Sequence, residues 1–289
     1  MFSFRHLVKK SGILQAPPFK NLSHWIQSKA YYSPENNPFT AIDYLVYSAH
    51  KTATQTLVAT LSKNGFNATF CHTLTNPSLY LAPGSFRSFA SHYQAINKRK
   101  LVVISVFREP VERHISSFFQ WHGADVVKKG LVADRSQSLL STNSVQALHK
   151  LFLKEIITGE LRGRRESIEE LCVELQIGLE QLGFNPETKS GSTETDFCTI
   201  HLFRFDQLTQ NNEIEKQVSL LTGKQVVQYT ENHRENKWYQ PIQQEFASTL
   251  KLPSNLIERI YHERAGLIEL FYPGEFEQLL AQAKQRYAA

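Results

Sequence analysis

The chain predicts an α/β fold, a central parallel sheet of four or five strands wrapped by helices, with a largely helical second half. Three observations carry this. From Tyr44 onward, short β-branched and aromatic runs alternate with longer amphipathic ones. Leu101 to Phe107 is apolar but for Ser105, as in a strand buried on both faces. Residues 44 to 72 read as strand, helix and strand within about 30 residues, the size of a βαβ unit. With 289 residues, 41% of them hydrophobic, the chain can fill the core of one such domain, so global disorder is excluded.

The elements follow in order. Residues 1–38 hold Pro17, Pro18, Pro34 and Pro38 among scattered aromatics and read as an N-terminal arm, leaving 39–289 as a single domain. Tyr44 to Tyr47 is a buried strand and Ser48 to Ala53 a polar loop. Thr54 to Lys63 is a helix closed by Asn64-Gly65, and Asn67 to His72 a second strand. The central strand Leu101–Phe107 follows the basic stretch Asn97 to Lys100. Glu109-Pro110 then opens a helix, because proline at the first position loses no needed N–H and an acid suits the first turn. On that helix Val111, Ile115 and Phe118 form the apolar face, and Glu112, Arg113, Ser116 and Gln120 the polar one. Helical patterns fill 137–159 and 164–183. Lys189 to Ser192 reads as a loop and Phe197 to Phe205 as a strand, and the chain is mostly helical from Asn211 onward.

Charge and cysteine usage bound the function. The formal net charge is +5 and the pI about 9.0, which suits a small anionic ligand, while the even spread of the charge argues against a nucleic-acid partner. Cys71, Cys172 and Cys198 are far apart in sequence and in no CxxC or Cys/His cluster, so neither a disulfide framework nor a zinc site is expected. No apolar run approaches the 18 or so residues of a bilayer span. The start, interrupted by Pro17-Pro18, does not read as a secretory signal, so the mature chain is expected to begin near Met1. The expected location is cytoplasmic, with contact at a membrane face left open. Arg162-Gly163-Arg164-Arg165 reads as a solvated turn.

Two strand ends carry the candidate chemistry, since neighbouring parallel strands deliver their carboxyl ends to one crevice. The first delivers the loop and helix start Ser48-Ala49-His50-Lys51-Thr52-Ala53-Thr54-Gln55-Thr56. Here a helix N-terminus, a lysine and several hydroxyls form a phosphate cradle. The second delivers Arg108, able to grip phosphate in bidentate fashion, and two helical turns later the hydroxyl of Ser116. The loop contains no glycine, so it is not the GxxxxGK[ST] of a nucleotide hydrolase or kinase. His50 reads as a loop-packing residue, and Trp238 and Tyr239 as packing aromatics.

This arrangement resembles the sulfotransferases that use 3′-phosphoadenosine 5′-phosphosulfate. Their first motif, Lys-x-Gly-Thr/Ser-Thr/Ser, is matched in part by Lys51-Thr52-Ala53-Thr54-Gln55, with Ala53 in the glycine position and Gln55 replacing a hydroxyl. Their second, Arg-x-Pro-x-x-Arg with a serine eight residues after the first arginine, is matched in full by Arg108, Pro110, Arg113 and Ser116. Phe203 to Leu208 is similar to the family's strand ending in an aromatic, an acid and a leucine. Asn236 to Tyr239 resembles a segment of the capsular polysaccharide synthesis branch, and 260–276 resembles the closing helices of carbohydrate sulfotransferases. The resemblance covers roughly 44–280.

It implies a P-loop-like sulfotransferase fold and in-line sulfuryl transfer to a carbohydrate hydroxyl, with no metal required. The cofactor's 5′ phosphosulfate would rest on Lys51, Thr52, Ala53, Thr54, Gln55 and Thr56, and its 3′-phosphate on Arg108 and Ser116. Lys51 would neutralise charge on the leaving phosphate, and His72, ending the second strand, is the first-ranked general base. His92, Glu112 and His122 are alternatives. Lys237 is a further candidate for the 3′-phosphate or the acceptor, and Trp238 for the purine or a sugar ring. Two rival readings remain at this point: a non-catalytic binding module in polysaccharide assembly, kept open by Ala53 and Gln55, and a nucleotide-dependent kinase.

Overall fold

The computed structural model describes residues 41–72, 74, 86–128, 142–158, 166–210, 212–229 and 238–289, with side chains 120–128 and 142–143 excepted. The 1–38 arm therefore lies outside the described residues, as do Lys237 and the 162–165 basic turn. In chain order the elements are β1 (Tyr44–Tyr47), α1 (Thr54–Lys63), β2 (Ala68–Cys71), α2 (Phe86–Asn97), β3 (Leu101–Phe107), α3 (Pro110–Lys128), α4 (Thr142–Thr158) and α5 (Ser167–Leu175). There follow β4 (Ser190–Glu194), β5 (Cys198–Arg204), α6 (Phe205–Leu208), α7 (Glu213–Thr222), α8 (Gln240–Thr249), α9 (Ser254–His262), α10 (Ala265–Phe271) and α11 (Phe276–Tyr287).

Five strands form one sheet in the order β2-β1-β3-β5-β4, with every pairing parallel except β4 against β5. β1, the first strand among the described residues, has β2 on one side and β3 on the other. The connection direction therefore reverses between β1 and β3, and at such a switch point the connections diverge to opposite faces and leave a crevice outside the carboxyl ends of the two strands. The loop after β1 and Arg108 after β3 flank it.

The period-two alternation of the strands divides the core into two layers. Val46, Ile104, Val106 and Phe203 pack on one face against Leu57 and Leu61 of α1 and Ile214 and Val218 of α7. Leu45, Tyr47, Val103, Phe107 and Leu202 face the larger layer, built from α2 to α5 and the C-terminal helices. β3 is central and buried, as its apolar run predicts.

Two expectations need correction. Ser190–Glu194 is a strand rather than part of a loop. Its Ser-Gly-Ser-Thr-Glu sequence has little intrinsic strand preference, and pairing with β5 supplies the order. Gly191 permits the hairpin's close packing, because a Cβ there would lie 2.0 Å from the Gly183 carbonyl oxygen. The 164–183 helical pattern is broken at Gln176, which takes the left-handed conformation (φ 59°) and ends α5 ahead of Gly178 and a 3₁₀ turn at Leu179–Gln181. The polar face of α3 lies partly inside the molecule, for Arg113 and Ser116 are both buried. Arg113 pairs with Glu166 at 2.6 Å, and Arg264 approaches the same carboxylate at 3.4 Å, so this side of the helix is covered by charge rather than by water.

Candidate functional site

Strand β1 is followed by Ser48, whose hydroxyl is wholly buried and accepts the Val106 N–H (3.1 Å), tying the carboxyl ends of β1 and β3 together. The loop then turns through two non-glycine residues in left-handed conformation, Lys51 (φ 69°) and Ala53 (φ 61°). Each costs of order 1–2 kcal/mol, a strain that persists only where surroundings impose it. The Thr52 hydroxyl donates to the Ala49 carbonyl (2.7 Å) and lies 2.6 Å from Ser48 Oγ and 3.3 Å from Thr54 Oγ1. The hydroxyls of Thr52 and Thr54 thus turn inward and brace the loop, while Gln55 is exposed and Thr56 buried.

Ala53 is the residue preceding α1, and no side chain caps the helix there. The first helical hydrogen bond runs from Leu57 N–H to the Ala53 carbonyl, leaving the preceding turn of N–H groups at the positive end of the helix dipole. That is the disposition that binds anions.

Arg108 meets this loop from β3. Its Nη1 donates to the Lys51 carbonyl (3.0 Å), its guanidinium lies 4.3 Å over the Phe205 ring, and Nη2 is 3.7 Å from Glu112. Only 12% of the side chain is exposed. A planar cation is thereby held at the switch point between a carbonyl and an aromatic face. Ser116 sits two turns further along α3.

The N-terminus of α3 is built by Glu109, whose carboxylate accepts the N–H groups of Val111 (3.0 Å) and Glu112 (2.6 Å) and the Tyr261 hydroxyl (2.6 Å). Part of Glu109 reaches the surface, but its carboxyl is enclosed, and burial pushes it above the usual carboxylate range against these three bonds. Glu112 is engaged by Arg286 (2.6 Å) and the Tyr287 hydroxyl (2.7 Å) as well as facing Arg108. This carboxylate is held among donors, unlike a free base.

His72 follows β2, and its Nδ1 lies 2.7 Å from the Ser48 carbonyl. A carbonyl only accepts, so Nδ1 carries the proton and the Nε2 lone pair remains available. Burial lowers the His72 pKa and the Ser48 bond opposes it, so the ring is neutral at pH 7. The His50 ring lies against it, with centroids 3.8 Å apart and planes tilted by 39°, a partnership that the sequence offered no signal for. Of the other candidates, His92 lies on α2, the side chain of His122 is outside the described residues, and Trp238 packs on the core beside Tyr239.

Beside Arg108, at the end of β5, Arg204 forms a two-point pair with Asp206 (2.6 and 3.0 Å) above the Tyr272 ring. Burial would raise the Asp206 carboxyl, but the bond and charge of Arg204 and the Tyr272 hydroxyl hold it below the ordinary range.

The structure therefore ties both Arg108 and His72 to the loop after β1, through the Lys51 and Ser48 carbonyls. All three cysteines are buried, and burial raises the thiols of Cys172 to about 11 and Cys198 to about 12. Among the described residues no group of three or more His, Cys, Asp or Glu is arranged to hold a metal, and no helix is long and apolar enough to cross a membrane. Compared with known protein families, with curated proteins and with solved structures, the chain finds no match.

Proposed function

We propose that the crevice between β1 and β3 binds 3′-phosphoadenosine 5′-phosphosulfate, and that the chain is a P-loop-like sulfotransferase acting on a carbohydrate hydroxyl. One observation carries the reading. Arg108, the first residue of the complete Arg-x-Pro-x-x-Arg motif, is clasped to the Lys51 carbonyl beside an uncapped helix N-terminus, at the sheet's switch point.

In this reading the N–H groups at the start of α1, with Lys51, hold the 5′ phosphosulfate, and Arg108 with Ser116 holds the 3′-phosphate. The acceptor oxygen attacks sulfur in line, and the new S–O bond forms as the bond from sulfur to the bridging oxygen breaks. Adenosine 3′,5′-bisphosphate leaves with the bonding electrons, its growing charge neutralised by Lys51. The acceptor proton passes to Nε2 of His72, which is neutral and unprotonated at that nitrogen; such a base contributes about 10²- to 10⁴-fold.

Calorimetric titration with adenosine 3′,5′-bisphosphate, run beside ATP with magnesium, tests this. Micromolar binding of the bisphosphate alone is the expected result. Preference for ATP with magnesium would replace the reading by a kinase. Binding of neither would leave a non-catalytic module, the reading that strained Ala53 in the glycine position favours.

A further inference from the structure

A groove of about 510 Å³ lies away from the β1 loop, between the β4–β5 hairpin and α7. Its floor is two cross-strand pairs, Ser192 opposite His201 and Ser190 opposite Phe203. Leu220 and Leu221 of α7 form one wall, and the Gly183–Asn185 segment, drawn against Gly191, forms the other. The hollow exists because β4 presents the small side chains of Ser190 and Ser192 to a sheet face that α7 covers with its own apolar residues only as far as β5.

Three features give the groove a chemical preference. None of its lining residues carries a formal charge at neutral pH: the titratable one is His201, and burial lowers its pKa. The imidazole of His201 is half-buried, lines the hollow and has no hydrogen-bond partner among the described residues, so its donor and acceptor are open to a ligand there. At the rim Leu220 is 70% exposed, an apolar side chain left in water. A charged ligand would find no counter-ion here, and a fully apolar one would leave the imidazole unpaired.

We infer that this groove is a binding site for an uncharged, largely apolar small molecule bearing a single hydroxyl or amide, which hydrogen-bonds His201 while its carbon skeleton covers Phe203, Leu220 and Leu221. The volume is that of an ordinary small-molecule pocket. The inference is independent of the anion crevice, since no lining residue belongs to it.

The probe is 2-naphthol, titrated into the whole chain at pH 7.5 with calorimetric readout, beside 2-naphthoate and naphthalene. The expected result is saturable one-to-one binding of 2-naphthol, at least tenfold tighter than 2-naphthoate. His201→Phe should weaken 2-naphthol about tenfold and leave naphthalene unchanged. Ser192→Trp, at an exposed position where folding is not at risk, should abolish both by filling the groove. Binding of 2-naphthol that does not saturate, that 2-naphthoate equals, or that survives both substitutions overturns the inference.

Discussion

Replacing Tyr261 by phenylalanine removes one hydroxyl and no packing volume, from a ring that is 1% exposed. That hydroxyl donates at 2.6 Å to the enclosed Glu109 carboxylate, which otherwise keeps only the N–H groups of Val111 and Glu112. Hydrogen bonds to charged groups contribute about 1.5–3 kcal/mol net, and water cannot replace a donor on an enclosed oxygen without displacing the aromatic layer around it. The two remaining donors soften the loss, so we expect Tyr261→Phe to destabilise the fold by about 2 kcal/mol, or about 4 °C in Tm for a domain of this size. Urea unfolding, followed by tryptophan fluorescence at pH 7.5, measures it. A cycle with Glu109→Gln isolates the pair, and its coupling should be about 1 kcal/mol or more. A loss below about 0.5 kcal/mol, or two substitutions that simply add, would refute the reasoning, since the hydroxyl would then have an equal alternative to Glu109.

Arg108→Ala should weaken adenosine 3′,5′-bisphosphate far more than adenosine 5′-phosphate in calorimetry, because the 3′-phosphate alone is assigned to it; equal losses would remove that assignment. At Ala53, glycine should relieve about 1 kcal/mol of left-handed strain, offset in part by a more flexible unfolded chain, whereas Ala53→Val should destabilise by at least about 1 kcal/mol. Paired urea midpoints read the difference between the two variants. The depressed pKa of His72 means that protons bind the unfolded chain first. Stability therefore falls as pH drops below the unfolded value near 6.5, and His72→Gln should flatten the urea midpoint between pH 7.5 and 5.5.

The parallel sheet, the β1–α1–β2 unit and the bounds of α1 were legible because each rests on local pattern: an unbroken apolar strand, an amphipathic helix and an Asn-Gly stop. The same holds for the opening of α3, where Glu109 and Pro110 announced a helix start. What Glu109 also does was not legible, for its hydroxyl partner on Tyr261 is 152 residues away. Likewise nothing near Arg113 foretold Glu166, so the sequence marked a polar face but not the buried ion pair on it. β4 was missed because serine and glycine carry no strand signal of their own, and only the partner strand makes them one. At the crevice, the residue types were legible and their orientations were not. Thr52 and Thr54 face inward, and the left-handed turns at Lys51 and Ala53 contradict local preference in the way functional loops often do.

The hydroxyls that hold the start of α3 bear on the chain's birth. Glu109 waits 152 residues for Tyr261, and Glu112 waits 175 for Tyr287. At a ribosomal pace of about 5–20 residues per second, the later of these arrives roughly 9–35 s after its partner. During that interval the nascent β3–α3 junction carries an acidic helix start without the aromatic lid that encloses it. The helix start beside Arg108 is thus completed by hydroxyls that are translated well after the strand it follows.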